Sequence, residues 1–172
     1  MDGTAGRVAR TRAHWGVFLG IAGVVVVLDQ LSKAWLVANV VQGEIREVLG
    51  DAIRLVYHQN SGALFGLFRD QAILFGVISI GVIGLIVAYH GRSGRSLYMS
   101  VALGFLLGGA IGNLVDRLRL GYVVDFVDIG IGDLRFYTFN VADSAISTAI
   151  VLLVAVALIP GLARLAEGTR NG

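Results

Sequence analysis

Four stretches of this chain are apolar over the length that a helix needs to cross a lipid bilayer. The hydrocarbon core is about 30 Å thick, and about 20 helical residues span it. The chain is 56% hydrophobic and only 15% charged, as expected of a protein that faces lipid. The predicted spans lie near residues 15–37, 72–89, 97–115 and 141–162. We therefore expect an all-α membrane protein in which residues 1–172 form a single domain.

The first span is preceded by arginines, as a cleaved signal peptide would be. Its apolar core is longer than such a peptide needs, carries Asp29 and Lys33, and meets no convincing cleavage site. We interpret this span as a retained membrane anchor.

Basic residues predominate on one side of the spans, whereas acids balance the arginines on the other side, and this asymmetry predicts the orientation of the chain. Cytoplasmic loops of membrane proteins are enriched in lysine and arginine. The arginines in question are Arg7, Arg10, Arg12, Arg92, Arg95, Arg164 and Arg170. Both termini are therefore expected in the cytoplasm, with loops 38–71 and 116–140 outside.

The outer loops are predicted to contain a small antiparallel β-sheet. Residues 44–48 and 53–57 are rich in β-branched and aromatic side chains around a Gly50-Asp51 turn, a pattern typical of a hairpin. Residues 134–139 alternate in the same way and could add a third strand. A plain interfacial loop is the alternative.

Charged residues near the membrane fall in one layer toward the outer side. An ionised residue at mid-bilayer costs about 2.5 to 3.5 kcal/mol on insertion scales, so such residues are usually functional. The layer contains Asp29, Lys33, Asp116, Arg117 and Asp143, together with Asn113 and Asn140. Asp143 alone could be a helix N-terminal cap, because acids are favoured there. The whole layer instead indicates a functional site.

The residue types in this layer restrict the chemistry to acids. The chain has no cysteine, and His14 and His90 lie on the cytoplasmic side, so a Ser-His-Asp set is not available. Two carboxylates that share one proton can activate a water molecule. Asp143 is one candidate, and Asp125 is its best partner because apolar neighbours would hold it at the membrane surface.

The remaining acids of the layer are predicted to be structural. Asp29 and Lys33 are four residues apart, so they share a helix face and can pair. Asp116 has Arg117 as a basic neighbour. Two other functions remain open at this point: a carrier that moves protons or cations, and a scaffold whose polar layer only stabilises helix packing.

Four ordered motifs carry a resemblance to a known family. They are Asp29 to Lys33 (DQxxK), Gly108 to Arg117 (GGxxGNxxDR), Gly121 to Phe126 (GxVxDF) and Phe139 to Asp143 (FNxAD). On these motifs the chain closely resembles signal peptidase II, the lipoprotein signal peptidase family of bacterial aspartic endopeptidases. The resemblance extends over nearly all of the four-helix core.

The resemblance implies a substrate and a set of site residues. Asp125 and Asp143 would be the catalytic pair, which cuts a prolipoprotein just before its diacylglyceryl-modified cysteine. The residues that line the site would be Asn60, Gly62, Asn113, Arg117, Phe139 and Asn140. The expected partners are prolipoproteins and membrane lipids, with no nucleic acid, metal or cofactor, and the chain is expected to be monomeric.

The resemblance also implies a short helix, and the chain departs from one of the family's motifs. The family's short interfacial helix would correspond to the segment around Val123 to Ile129. Leu64 replaces the alanine that is usual in the family's NxGxAF motif, and this change could alter packing over the substrate.

Overall fold

The computed structural model describes residues 13–61, 72–93, 96–159 and 161. Four long helices and a four-stranded antiparallel sheet make up the fold, which confirms the predicted class. In chain order the elements are α1 (Trp15–Asn39), β1 (Ile45–Leu49), β2 (Ile53–Asn60), α2 (Ala72–Ser93), α3 (Leu97–Leu120), β3 (Val123–Ile131), β4 (Leu134–Arg135) and α4 (Val141–Leu158). All four helices are long and apolar enough to cross a membrane.

Helix α3 is the central helix, and it packs against α1, α2 and α4. Glycines make the close approaches possible. A Cβ added at Gly108 would lie 2.6 Å from the Val25 Cβ on α1, and one added at Gly109 would lie 2.5 Å from the Ala142 carbonyl oxygen on α4. Because each glycine lacks a side chain, the neighbouring backbones come close enough to bring their polar residues together.

Local sequence defines the ends of the two helices that carry most of the polar layer. Helix α3 ends at Gly121, which adopts the left-handed conformation with φ of 77° that a residue with a Cβ rarely takes. Helix α4 begins with Asn140 as its N-cap. Because α3 runs to Leu120, beyond the predicted end at residue 115, Asp116 and Arg117 belong to its last turns.

The sheet contains the predicted hairpin and differs from the prediction elsewhere. Strands β1 and β2 pair antiparallel, and β2 then pairs with β3. The segment expected to form an interfacial helix is instead β3, with Val123 opposite Asn60 and Ile129 opposite Ile53. Its many β-branched residues and the available edge of β2 favour a strand. Strand β4 is only two residues long, shorter than the predicted third strand.

A small apolar cluster joins the sheet to the C-terminal end of α1. Leu36 of α1 and Val40, the residue that caps this helix, pack against Val124 and Phe126 of β3. Since successive side chains of a strand point to opposite faces, Asp125 points away from this cluster. The cluster therefore fixes the strand that presents Asp125 to α3 and α4.

Candidate active site

Asp125 is buried in the middle of β3, with 1% of its surface exposed. Its Oδ1 accepts a hydrogen bond of 2.7 Å from Asn140 Nδ2, and its Oδ2 accepts one of 3.0 Å from Asn60 Nδ2. Burial, followed by the negative charge of Asp143, raises the pKa of Asp125 to about 7. Asp125 is thus poised to gain or lose a proton near neutral pH.

Asp143 lies in the first turn of α4 and is only half-buried. Its Oδ1 accepts a hydrogen bond of 2.8 Å from Asn113 Nδ2, and its Oδ2 accepts one of 3.2 Å from the Asn140 backbone N–H. The Asn140 side chain in turn accepts from the Asp143 backbone N–H at 2.9 Å, which completes a capping box. The carboxylate is therefore fixed at a helix N-terminus while one side stays accessible.

Asn140 couples the two carboxylates, and it is fully buried. Its Oδ1 is used by the helix cap, so its Nδ2 must face the other way, toward Asp125. The same Nδ2 also approaches Asn113 Oδ1 at 3.2 Å. A single asparagine therefore sets the positions of Asp125 and Asp143 relative to each other, with Asn113 completing the contact.

A second cluster of charges lies beside this pair, between α1 and α3. Lys33 Nζ is 2.8 Å from an oxygen of Asp29 and 2.8 Å from an oxygen of Asp116, and all three side chains are buried. Gln30 Nε2 donates to Asp116 Oδ1 at 2.9 Å. Asp29 also accepts a hydrogen bond of 2.9 Å from the backbone N–H of Ala142. These contacts confirm the predicted pairing of Asp29 with Lys33.

The basic partner of Asp116 is Lys33 and not its sequence neighbour Arg117. Asp116 pairs with Lys33, whereas Arg117 lies over the Phe75 ring at 5.7 Å and donates to the Asn113 carbonyl at 3.4 Å. The reason is geometric, because consecutive residues of a helix point about 100° apart. Arg117 remains close enough for its charge to act on both Asp125 and Asp143.

The structure brings together most of the side chains that the sequence singled out. Asn60, Asn113 and Asn140 contact the two acids directly. Phe139 lies close by, but its described contacts are backbone bonds to β3 and an edge-on ring contact with Phe136. Gly62 and Leu64 lie outside the described residues.

Sequence reasoning missed two residues at this site. Gln30 belongs to the charged cluster, and its place in the DQxxK motif beside Asp29 was an available signal. Tyr137 contacts Asn60 through its hydroxyl at 2.9 Å. Nothing in the sequence marks Tyr137 except its position three residues before Asn140.

The fold and the carboxylate pair define a class, that of a multi-pass membrane aspartic peptidase. Comparison with known proteins gives the family. The family model described as signal peptidase (SPase) II matches residues 21–159. The chain belongs to this signal peptidase II family.

Individual relatives agree with this assignment. The chain is 40% identical over 147 residues to a lipoprotein signal peptidase of Syntrophomonas wolfei, covering 86% of this chain and 93% of the relative. It is 40% identical over 132 residues to one of Streptococcus pyogenes, covering 76% and 86%.

Solved structures show the same fold. A bacterial membrane enzyme determined by the in meso method at 2.3 Å resolution superposes with a TM-score of 0.80 at 29% identity, covering 94% of this chain and 97% of its own. A second such structure, at 1.9 Å, gives 0.79 at 31% identity, covering 87% and 97%.

Proposed function

We propose that this chain removes signal peptides from prolipoproteins by hydrolysing the peptide bond just before the diacylglyceryl-modified cysteine. Asp125 and Asp143 act as the catalytic pair. The observation that carries this proposal is that both acids bind neutral amides. Among the residues that the structure describes, neither acid forms an ion pair with a lysine, arginine or histidine. A pair without a direct cationic partner can keep one proton between its members.

The two acids have different roles in the proposed reaction. Asp125, the more buried acid with a pKa raised to about 7 by burial and by the Asp143 charge, holds the shared proton. Asp143, which is partly accessible, is ionised and takes a proton from the attacking water. Asp125 donates its proton to the scissile carbonyl oxygen as the water oxygen bonds to the carbonyl carbon.

The second half of the reaction returns the protons. When the tetrahedral intermediate collapses, the bond between carbonyl carbon and nitrogen breaks, and Asp143 gives its proton to the leaving amine. The hydroxyl that Asp125 had protonated returns its proton to Asp125 as the new carboxyl group forms. The pair ends as it began, with one proton, and no cofactor takes part.

The location of the pair suits a substrate anchored in the membrane. Asp143 opens α4, and Asn113 lies near the end of α3, so the site is at one end of both helices. The arginine distribution supports an extracytoplasmic position for this end, with both termini cytoplasmic. A signal helix with its acyl chains in the bilayer would bring its scissile bond to this depth. We further propose that the chain acts as a single-domain monomer.

The test is cleavage of a lipid-modified precursor by purified Asp125→Asn and Asp143→Asn. Each change keeps the side-chain size but removes an acid that the mechanism needs, so cleavage should fall by about 10²- to 10⁴-fold. Asp133→Asn is the matched control, because Asp133 is an exposed acid in the turn between β3 and β4. Full cleavage by either active-site variant would refute the proposed mechanism.

Two additional measurements complete the test. An unlipidated precursor assayed in parallel should be cut more slowly if the diacylglyceryl group is required. A thermal unfolding curve for each variant should show that the fold is retained. Unfolding of both variants would instead support a purely structural polar layer.

A further inference from the structure

Tyr137 contacts the side chain of Asn60, which in turn binds the catalytic Asp125. The Asn60 Nδ2 group has two hydrogens: one reaches Asp125 Oδ2 at 3.0 Å, and the other reaches the Tyr137 hydroxyl oxygen at 2.9 Å. An asparagine amide can flip by 180° and exchange its oxygen and nitrogen. A flip here would place the Asn60 oxygen against the Asp125 carboxylate, and when Asp125 is ionised these are two acceptors that cannot bond each other.

The chain around Tyr137 is held firmly by the sheet. The Phe136 N–H donates to the Ile129 carbonyl at 2.6 Å, and the Phe139 N–H donates to the Val127 carbonyl at 3.0 Å. Tyr137 thus lies between two attachments to β3. Asn60 is equally fixed, because it ends β2 opposite Val123. Both ends of the contact are therefore anchored before substrate binds.

We infer that Tyr137 is a positioning residue that keeps the Asn60 amide turned toward Asp125 and so sets how firmly Asp125 holds its proton. The inference rests on the proposed role of Asp125 in catalysis. It goes beyond that role because Tyr137 lies outside the four motifs of the family.

Charged and titratable groups surround Asp125 from every element packed against it. They are Asp143 on α4, Lys33 on α1, Arg117 on α3, His58 opposite it on β2, and Tyr137 itself. Burial and Asp143 raise the pKa of Asp125, and the hydrogen bonds from Asn60 and Asn140 oppose that rise. Burial and the charges of both acids also raise the pKa of Tyr137, so its hydroxyl stays neutral around pH 7.

Removing the Tyr137 hydroxyl should raise the pKa of Asp125. Without this contact the Asn60 amide turns more easily, and its hydrogen bond to ionised Asp125 weakens. The protonated form of Asp125 is then favoured, so the pKa of Asp125 rises further. Since the proposed mechanism needs protonated Asp125, wild-type activity falls as the pH rises through about 7, and this limb should move to higher pH in the variant.

The experiment compares the pH dependence of kcat for the full-length wild type, Tyr137→Phe and Tyr57→Phe on a lipid-modified precursor. Tyr57→Phe is a matched control, because its hydroxyl pairs with Tyr122 and Gln59 on the side of the sheet that faces α1. Tyr137→Phe should move the alkaline limb upward by about 0.5 to 1 pH unit, and Tyr57→Phe should leave it in place. If the alkaline limb of the Tyr137→Phe profile coincides with that of the wild type, the inference is overturned, even if kcat falls.

A double variant and a spectroscopic titration make the test independent of rate. Adding Tyr137→Phe to Asn60→Ala should produce no further shift, because Tyr137 acts through Asn60. An infrared titration of the Asp125 carboxyl, assigned by its absence in Asp125→Asn, should show the same upward shift in Tyr137→Phe. This titration reports the proton on Asp125 whether or not Asp125 is catalytic, so it separates failure of this inference from failure of the proposed function. An unchanged titration overturns the inference.

Discussion

Two pairs of aspartates lie side by side in one polar layer, and they differ in what surrounds them. Asp29 and Asp116 contact the same lysine, each at 2.8 Å from Lys33 Nζ. Asp125 and Asp143 contact asparagine amides and a backbone N–H instead. Both pairs lie largely out of water, but within the described part of the chain only one is compensated by a cation at contact distance.

This difference separates a structural role from a chemical one. A buried carboxylate beside an ammonium group is held in its charged form and ties helices together. A carboxylate that is surrounded by neutral donors can accept a proton without breaking an ion pair. Asn113 joins the two pairs, since its Oδ1 accepts from Lys33 Nζ at 3.3 Å while its Nδ2 binds Asp143. The compensated pair thus supports the amide that holds Asp143, a member of the proposed catalytic pair.

The largest expected effect comes from removing the shared cation. Lys33→Met leaves Asp29 and Asp116 buried together without a counter-charge, which should cost about 3 to 5 kcal/mol of stability. Thermal unfolding in detergent measures this loss. Arg46→Met is the control, because Arg46 pairs with Glu44 at an exposed edge of the sheet, and this variant should unfold as the wild type does. A stable Lys33→Met protein would contradict the structural role of the compensated pair.

A smaller effect of opposite sign on stability is expected at the proposed catalytic pair. The pKa of Asp125 is about 7 in the folded protein, raised by burial and by Asp143, against about 3.9 in an unfolded chain. Between these values the folded state binds a proton that the unfolded state does not, so wild-type stability falls as the pH rises from about 4 to 7. The amide introduced by Asp125→Asn does not titrate, so this variant escapes the loss.

The stability of Asp125→Asn relative to the wild type should therefore increase from pH 4 to 7 and then level off. The expected gain between pH 5 and pH 8 is about 2 to 3 kcal/mol, or about 4 to 12 °C in Tm. Thermal unfolding at pH 5 and pH 8 measures it, with Asp133→Asn as the control for replacing one acid by its amide. An equal gain in that control, or no gain in Asp125→Asn, would contradict the assignment of the proton to Asp125.

Much of the fold could be predicted because its signals are local. Four long apolar runs predict the helices, and β-branched residues around Gly50 predict the hairpin of β1 and β2. The pairing of Asp29 with Lys33 follows from their spacing along one helix. For the segment from Val123 to Ile129, the resemblance to the family predicted a helix, but the structure has a strand. The β-branched residues of this segment favour a strand, and the strand pairs with β2.

The parts of the site that could not be predicted depend on distant contacts. Lys33 and Asp116 are far apart in sequence, and their pairing depends on how closely α1 and α3 approach at the glycines. The bridge that Asn140 makes between Asp125 and Asp143 requires the β3 strand to meet the start of α4. Composition and motifs identified the acids and asparagines themselves, but the bonds between them depend on the packed fold.

The central claim is that the pair without a direct cation, and Asp125 in particular, holds a proton near neutral pH. Infrared difference spectra of the wild type against Asp125→Asn, recorded at pH 6 and at pH 8, measure this directly through the protonated carboxyl stretch. We expect a band that is strong at pH 6, weak at pH 8 and missing from Asp125→Asn, with Asp133→Asn retaining it. A wild-type band that persists unchanged in Asp125→Asn would contradict the claim.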